Sequence, residues 1–394
     1  MIGFKLPIRV ASWIKFCKNN FVIFIKKILR VLISVFLIIL ITFSFTLVID
    51  FFFGKKILEL TDRFWLKTEF YGKIKRIDHD IYHHGLKANV KMKNVKGFEG
   101  YYTFCTDNHG FRYKCDAKKR GKHFDFAFMG DSFTEGSSVS YEDSFVGIFE
   151  KFSKKTVVNL GVVSYAPKIY LSKINYYLTK GYSFDHVVIP IDISDLYDDN
   201  VSYRLNKDYI VTDNYERGEK LKIRRFLRKN FPFTNFYMFV IKNLNEVGYS
   251  PKNTNMEKPV FHKDALLKSK WTYSTDKIID GYWSSIESAQ KEMIETMTIL
   301  YKLLDERDIS LSIVVYPWPQ QLENDIVNSK HAQMWREFCE EKCSNFINLF
   351  PYFFKLKESN GYLKTYKKYY WWNDIHFNKE GNKVMANELI KIIK

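Results

Sequence analysis

From Val31 to Ile49 the chain runs VLISVFLIILITFSFTLVI without one charged residue. As a helix such a run rises about 1.5 Å per residue and so matches the roughly 30 Å hydrocarbon core of a bilayer. It predicts a transmembrane helix over residues 31–53. A cleaved secretory signal fits less well, because the run is long and no small-x-small site precedes Asp50. A buried core helix is the remaining alternative, and the flanking charge argues against it. Lys5, Arg9, Lys15, Lys18, Lys26, Lys27 and Arg30 precede the run with no acidic residue among them. The positive-inside rule therefore makes residues 1–30 a basic cytoplasmic N-terminus and expects everything after about residue 54 outside.

The cysteines suit that topology. Cys17 falls on the cytoplasmic side, and the other four form two close pairs, Cys105 with Cys115 and Cys339 with Cys343. Each pair could be a disulfide in an oxidising compartment. Cys339 and Cys343 have i, i+4 spacing, and a regular helix holds such Cβ atoms apart, so a bridge and two free buried thiols are equal expectations there. Neither pair has CxxC spacing or a neighbouring His pair, so no metal is expected. The net charge of +17 suits an acidic partner. The Lys and Arg residues are scattered, however, with no zinc-finger, P-loop or RNP-like pattern, so nucleic acid is not an expected partner.

Residues 54–120 mix charge, aromatics and glycine without sustained periodicity, which predicts a stalk and an irregular lead-in. A different pattern begins in the domain expected over 121–394. Short apolar runs at 124–129, 156–160, 186–191, 309–316 and 345–350 read as buried parallel strands. Helical patterns at 142–153, 167–180, 285–307, 329–342 and 379–393 separate them. Alternation of this kind implies an α/β fold with a parallel sheet covered on both faces, whose ligands bind at the carboxyl ends of the strands. Residues 200–284 interrupt the rhythm as an insertion. Its segment KLKIRRFLRKNFPFTNFYMFVIKNL (220–244) is basic and aromatic. A surface helix packed on the domain is the preferred reading of that segment over contact with anionic lipid or a polyanion.

Ser132 directly follows the apolar run FDFAFM in the glycine-bracketed turn Gly130-Asp131-Ser132-Phe133-Thr134-Glu135-Gly136. That setting stands its hydroxyl at the carboxyl end of a strand, a nucleophile's position. A serine needs a base to take its proton and a group to orient that base. Both occur near the end of the chain, in Trp372-Asn373-Asp374-Ile375-His376. Asp374 is expected to hold one imidazole nitrogen while the other faces Ser132.

The turn GDSFTEG, Asn159-Leu160-Gly161 after the second strand and the C-terminal Asp-x-His together resemble the SGNH/GDSL hydrolase superfamily over roughly residues 101–394. Asn108-His109-Gly110-Phe111-Arg112 and Tyr316-Pro317-Trp318-Pro319 resemble its membrane-anchored branch related to polysaccharide O-acetylation, the alginate O-acetyltransferase-like proteins. The resemblance implies a flavodoxin-like three-layer α/β/α sandwich, ester chemistry on acyl groups and no cofactor. It also implies a glycan or glycolipid substrate and a polytopic membrane O-acyltransferase as partner. The family's oxyanion hole takes the nucleophile's backbone N–H, a glycine after the second strand and an asparagine after the third. Ser132, Ser164 and Ser194 stand at these positions here, so the last two depart from the pattern. Asn373 occupies the acid position of the commoner Asp-x-x-His, which leaves the role to Asp374.

Plainer readings apply to other residues. Asp131 is expected to tie down its turn rather than act as a catalytic acid, and Gly161 to permit a tight turn. Asp195, Asp198 and Asp199 read as helix-capping or solvent-facing acids rather than a metal cluster. His83, His84, His109 and His123 read as structural or exposed. Trp318 and Trp372 lie near the strand ends, where sugar stacking and core packing are equal expectations. The leading functional expectation is an extracytoplasmic O-acyl esterase or O-acyltransferase on an envelope polysaccharide or glycolipid. The alternative is a catalytically silent glycan-binding or assembly module. A third is a lipid-bound scaffold using residues 220–244.

Overall fold

The computed structural model describes residues 8–65, 75–214, 230, 231, 233, 234, 258–274 and 285–393. These fall into two units, one containing residues 1–65 and 219–249, the other 66–218 and 250–394. Most of the basic, aromatic segment 220–244 lies outside the described residues.

In the first unit, α1 (Ile8–Trp65) is a single long helix. No proline or glycine interrupts it before Gly54, so nothing breaks its hydrogen-bond ladder. The stretch Ile25–Gly54 is long and apolar enough to cross a membrane, and its apolar side chains are exposed. Two of its hydroxyls are satisfied within the helix: Thr42 and Thr46 each donate to the carbonyl four residues back, at 2.8 Å. At the far end of the stretch, buried Asp50 accepts from the backbone N–H groups of Phe233 and Thr234, at 2.9 and 2.5 Å.

The second unit is built on one mixed sheet. In chain order its elements are β1 (Arg76–His79), β2 (His83–Leu86), β3 (Lys91–Lys96), β4 (Tyr101–Thr106), β5 (Arg112–Tyr113), β6 (His123–Phe128), α2 (Ser132–Glu135), α3 (Phe145–Ser153), β7 (Val157–Asn159), α4 (Pro167–Thr179) and β8 (Ser183–Ile191). Then come β9 (Tyr203–Leu205), β10 (Val211–Asp213), α5 (Ile286–Asp305), β11 (Ser310–Val315), α6 (Lys330–Cys339), β12 (Asn345–Asn348), α7 (Phe350–Asn360), α8 (Tyr362–Tyr369) and α9 (Lys379–Ile392). The sheet order is β12-β11-β8-β6-β7-β5-β4-β3. The five strands from β12 to β7 are parallel. They carry the flavodoxin-like order, in which the chain moves from β6 outward to β7 and then crosses to β8 on the other side. Right-handed crossovers in opposite directions put helices on both faces. Accordingly α9 packs on α3, and α5 on α4.

The core explains why the apolar runs form strands. Ala127, Phe128, Val157, Val158, Val187, Val188, Ile189, Ile313, Val314 and Val315 are fully buried, and each fully buried Val or Ile contributes about 1.5–3 kcal/mol. The structure departs from the sequence reading at residues 75–113, expected to be irregular. They form five short strands, and β3, β4 and β5 extend the sheet antiparallel beyond β7. A register shift between Met92 and Val95, and strands of two to six residues, leave no run long enough for alternation to emerge. Both cysteine pairs are disulfides, with Cα atoms 5.2 and 4.7 Å apart. For the second pair the expected obstacle is absent because α6 ends at Cys339 and residues 340–342 turn.

Candidate active site

The switch point between β6 and β8 is where the side chains of interest converge. β6 ends at Phe128, and the turn after it opens α2 at Ser132. Asp131 caps that short helix, its Oδ1 accepting the Phe133 N–H at 2.9 Å. Gly136 closes it in the left-handed region at φ 84°. Asn159, at the end of β7, ties the neighbouring loop to this helix. Its amide donates to Thr134 O at 2.6 Å, and its oxygen accepts the Gly161 N–H at 3.0 Å. Glu135 is held by the Lys75 ammonium and by the Val163 N–H at 2.9 Å. The Ser132 turn is therefore fixed from β7, from the loop after it and from the segment before β1.

His376 reaches the same place from the loop between α8 and α9. That loop is closed by a bridge between Tyr370 and Phe377, and the Tyr366 hydroxyl braces it, 2.7 Å from Trp371 O and accepting the Asp374 N–H at 3.1 Å. His376 Nε2 lies 2.7 Å from Ser132 Oγ, and His376 Nδ1 lies 2.6 Å from Asp374 Oδ1. The same carboxylate oxygen accepts the His376 backbone N–H at 2.8 Å. With Nδ1–H donating to the carboxylate, Nε2 is left as an acceptor for the serine hydroxyl. Asn373, whose φ is 60°, does not face the imidazole. Its side-chain oxygen accepts the N–H of Val260, within the insertion, at 2.8 Å. Burial opposes charging of the His376 ring, but the Asp374 carboxylate and its hydrogen bond outweigh it. The imidazole therefore titrates above its ordinary value.

The three oxyanion candidates divide. Ser164 sits exposed at φ 66°, with its carbonyl held by the Tyr203 hydroxyl at 2.6 Å. Among the described residues neither its N–H nor that of Ser132 donates to a protein acceptor, whereas Gly161, Val162 and Val163 N–H are all engaged. Ser194 is turned elsewhere. Its N–H and its hydroxyl both donate to Asp192 Oδ1 at 2.8 Å. Asp192 was not singled out from the sequence, yet it is the hub behind the site.

Trp318 is 2% exposed, and its indole N–H donates to Asp192 Oδ2 at 2.9 Å. It is a buried brace, closed to a sugar ring. Trp372 is half-buried against Tyr366 and Lys367. Two other aromatic rings flank the imidazole instead: Phe133, with ring centroids 4.8 Å apart, and half-buried Phe98, stacked at 6.3 Å. Phe98 lies in the β3–β4 turn, whose Gly97-Phe98-Glu99-Gly100 pattern signals a hairpin but not what the hairpin reaches. Among the acids first weighed as a cluster, Asp198 pairs with Lys268 and Asp199 with Lys168, while Asp195 accepts from Tyr170. His84 lies behind the oxyanion loop with Nε2 3.1 Å from Val163 O, and His109 sits between the Tyr182 hydroxyl and Arg120 O.

No family model and no curated protein matches the chain. Among solved structures it is similar to a member of the lipolytic protein G-D-S-L family from Veillonella parvula DSM 2008, at 10% identity and TM-score 0.36, over 68% of this chain and 97% of that one. It is similar too to a catalytic mutant of an acetylxylan esterase from Geobacillus stearothermophilus, at 11% identity and TM-score 0.37, over 69% and 94%. The psychrotrophic esterase EstA from Pseudoalteromonas sp. matches at 10% identity and TM-score 0.32, over 69% and 97%. At such identities and scores the chemistry of the site rests on its own geometry.

Proposed function

We propose that this chain is a serine-dependent O-acyl esterase or O-acyltransferase of the SGNH/GDSL type, acting on an acylated polysaccharide or glycolipid of the cell envelope. The observation that carries the reading is the hydrogen-bonded series Ser132 Oγ, His376 Nε2, His376 Nδ1, Asp374 Oδ1 at the carboxyl ends of the parallel strands. Ser132 Oγ attacks the ester carbonyl carbon while its proton passes to His376 Nε2. The carbonyl π electrons move onto oxygen, and the N–H groups of Ser132 and Ser164 donate hydrogen bonds to that oxyanion. Collapse breaks the bond to the leaving alcohol, which takes the proton from Nε2. Water or a sugar hydroxyl then gives its proton to Nε2 and attacks the acyl-serine, and Ser132 departs with that proton. Asp374 stays ionised and steadies the imidazolium.

A fluorophosphonate probe tests the reading on the full-length protein in detergent. Covalent labelling confined to Ser132, lost in Ser132→Ala, is expected. Absence of labelling in folded protein favours the second reading, a silent glycan-binding module, which is motivated by the engagement of the Ser194 hydroxyl with Asp192.

The raised His376 value gives a pH expectation. The base works as neutral imidazole, so kcat/KM falls as pH drops through a value above the ordinary 6.5. Replacing Asp374 with Asn removes the charge that raises it, so the residual activity should show its acid limb at lower pH. An unmoved limb would assign it to another group.

A catalytic unit outside the cytoplasm is supported by the basic residues before the apolar stretch and by the two disulfides, which suit an oxidising compartment. With those four cysteines paired, Cys17 carries the remaining thiol. A membrane-impermeant maleimide added to intact cells should leave Cys17 unlabelled until the membrane is permeabilised. Labelling in intact cells would reverse the orientation. A polytopic membrane O-acyltransferase, delivering acyl groups across the bilayer, is the partner this reading calls for.

A further inference from the structure

Directly behind Ser132 lie three carboxyls, Asp131, Asp192 and Asp195, only 4%, 1% and 1% exposed. They come from the ends of the adjacent strands β6 and β8. None makes an ion pair with Lys or Arg among the described residues; Lys268, bound to Asp198, acts on Asp192 only at a distance. Their donors are unequal. Asp192 takes the Ser194 N–H and hydroxyl on Oδ1 and the Trp318 indole N–H on Oδ2. Asp195 takes the Asp192 N–H at 2.8 Å and the Tyr170 hydroxyl at 2.5 Å. Asp131 takes one backbone N–H, from Phe133, and its Oδ2 stands 3.2 Å from Ser132 Oγ.

Asp192 lies close enough for its charge to act on the Asp131 carboxyl. Three buried carboxyls with no cation to balance them do not all ionise, and the one with fewest donors is the one that keeps its proton. Asp192, with three donors aimed at it, is the better-supported anion. We infer that Asp131 is a positioning residue acting as a neutral acid beside ionised Asp192, so that the Ser132 hydroxyl is directed to His376. This inference rests on the serine-nucleophile reading. Were Asp131 ionised, a charged acceptor 3.2 Å from Oγ would compete with the neutral imidazole for the serine proton, since hydrogen bonds to a charged acceptor are the stronger kind. Burial, then the neighbouring Asp192, push the Asp131 acid well above the ordinary carboxyl range, in the same direction. Ser194 acquires a role as well, because its hydroxyl supports the Asp192 anion rather than the oxyanion.

The titratable groups near enough to act on Asp131 electrostatically are Asp192 and Asp195 after β8, Tyr170 on α4, Tyr316 after β11 and His376. The test uses full-length protein, p-nitrophenyl acetate turnover and infrared difference spectra. Asp131→Asn keeps an oxygen for the Phe133 N–H and stays uncharged, so kcat/KM should stay within about tenfold of wild type, with the acid limb of its pH profile unmoved. Asp131→Ala should lose about a hundredfold or more, so that Asn rescues what Ala removes. At neutral pH the wild type should show the carbonyl stretch of a protonated carboxyl, and Asp131→Asn should lose it. An Asn variant as weak as the Ala variant, or a spectrum in which Asp131→Asn removes no such band, overturns the inference while leaving Ser132 as nucleophile. Turnover that survives in Ser132→Ala overturns the nucleophile instead, a separate failure that the infrared band does not share.

Discussion

Ser132→Ala should lower kcat for p-nitrophenyl acetate by on the order of 10⁶-fold, the loss typical when the nucleophile of a hydrogen-bonded catalytic unit is removed. His376→Ala should cost about as much, and the double variant no more than either alone. That non-additivity follows from the geometry. The serine proton passes to Nε2, 2.7 Å away, so neither member accomplishes anything without the other. Asp374→Asn should be milder yet still on the order of 10⁴-fold, because the amide offers an N–H to Nδ1 and so favours the wrong tautomer. Initial rates on purified, folded variants settle the matter. Losses that multiply in the double variant would mean that Ser132 and His376 do not act as a unit.

The second large effect concerns stability and centres on Thr134, a fully buried residue of α2 clamped between two glycines. A Cβ on Gly130 would stand 2.2 Å from Thr134 Oγ1 and 3.0 Å from Pro190 O. A Cβ on Gly161 would meet Thr134 Cβ at 2.6 Å and the backbone nitrogen of Glu135 at 3.0 Å. Either Gly→Ala change therefore overpacks the nucleophile turn and should cost about 3 kcal/mol, the upper end for such insertions. In a domain of this size the loss should lower Tm by several degrees, at roughly 2–4 °C per kcal/mol. The two variants should part company on a Thr134→Ala background. Removing Oγ1 relieves the worst contact of Gly130→Ala, so most of its stability should return. Gly161→Ala collides with the Cβ that alanine retains, so it should stay destabilised. Equal rescue of both in thermal melts would refute the clamp.

The legible parts of this protein were those whose signal is local. An uncharged run long enough to span a bilayer, a periodicity that repeats within one helix, and an apolar strand bounded by turn residues are each complete within a few tens of residues. The α/β alternation, the five parallel strands, GDSFTEG and the Asp-x-His loop could therefore be read directly. Residues 75–113 failed for the same reason, since their strands are too short and bulged to announce themselves, although three of them continue the sheet.

The sequence by itself determined which chemistry is on offer, namely one serine on a strand-end turn and an imidazole with its own carboxylate two residues away. Only the tertiary structure decided what surrounds them. Ser132 meets His376 across 244 residues, and Trp318 meets Asp192 across 126. Folding also turned Ser194 from an expected oxyanion donor into a support for Asp192, buried Trp318 where a sugar platform was weighed, and brought Phe98 from the hairpin to the imidazole. The physical reason is common to all of these. Backbone preferences act over neighbouring residues, whereas the partner of a buried polar group is chosen by the packing of strands and loops far apart in the chain.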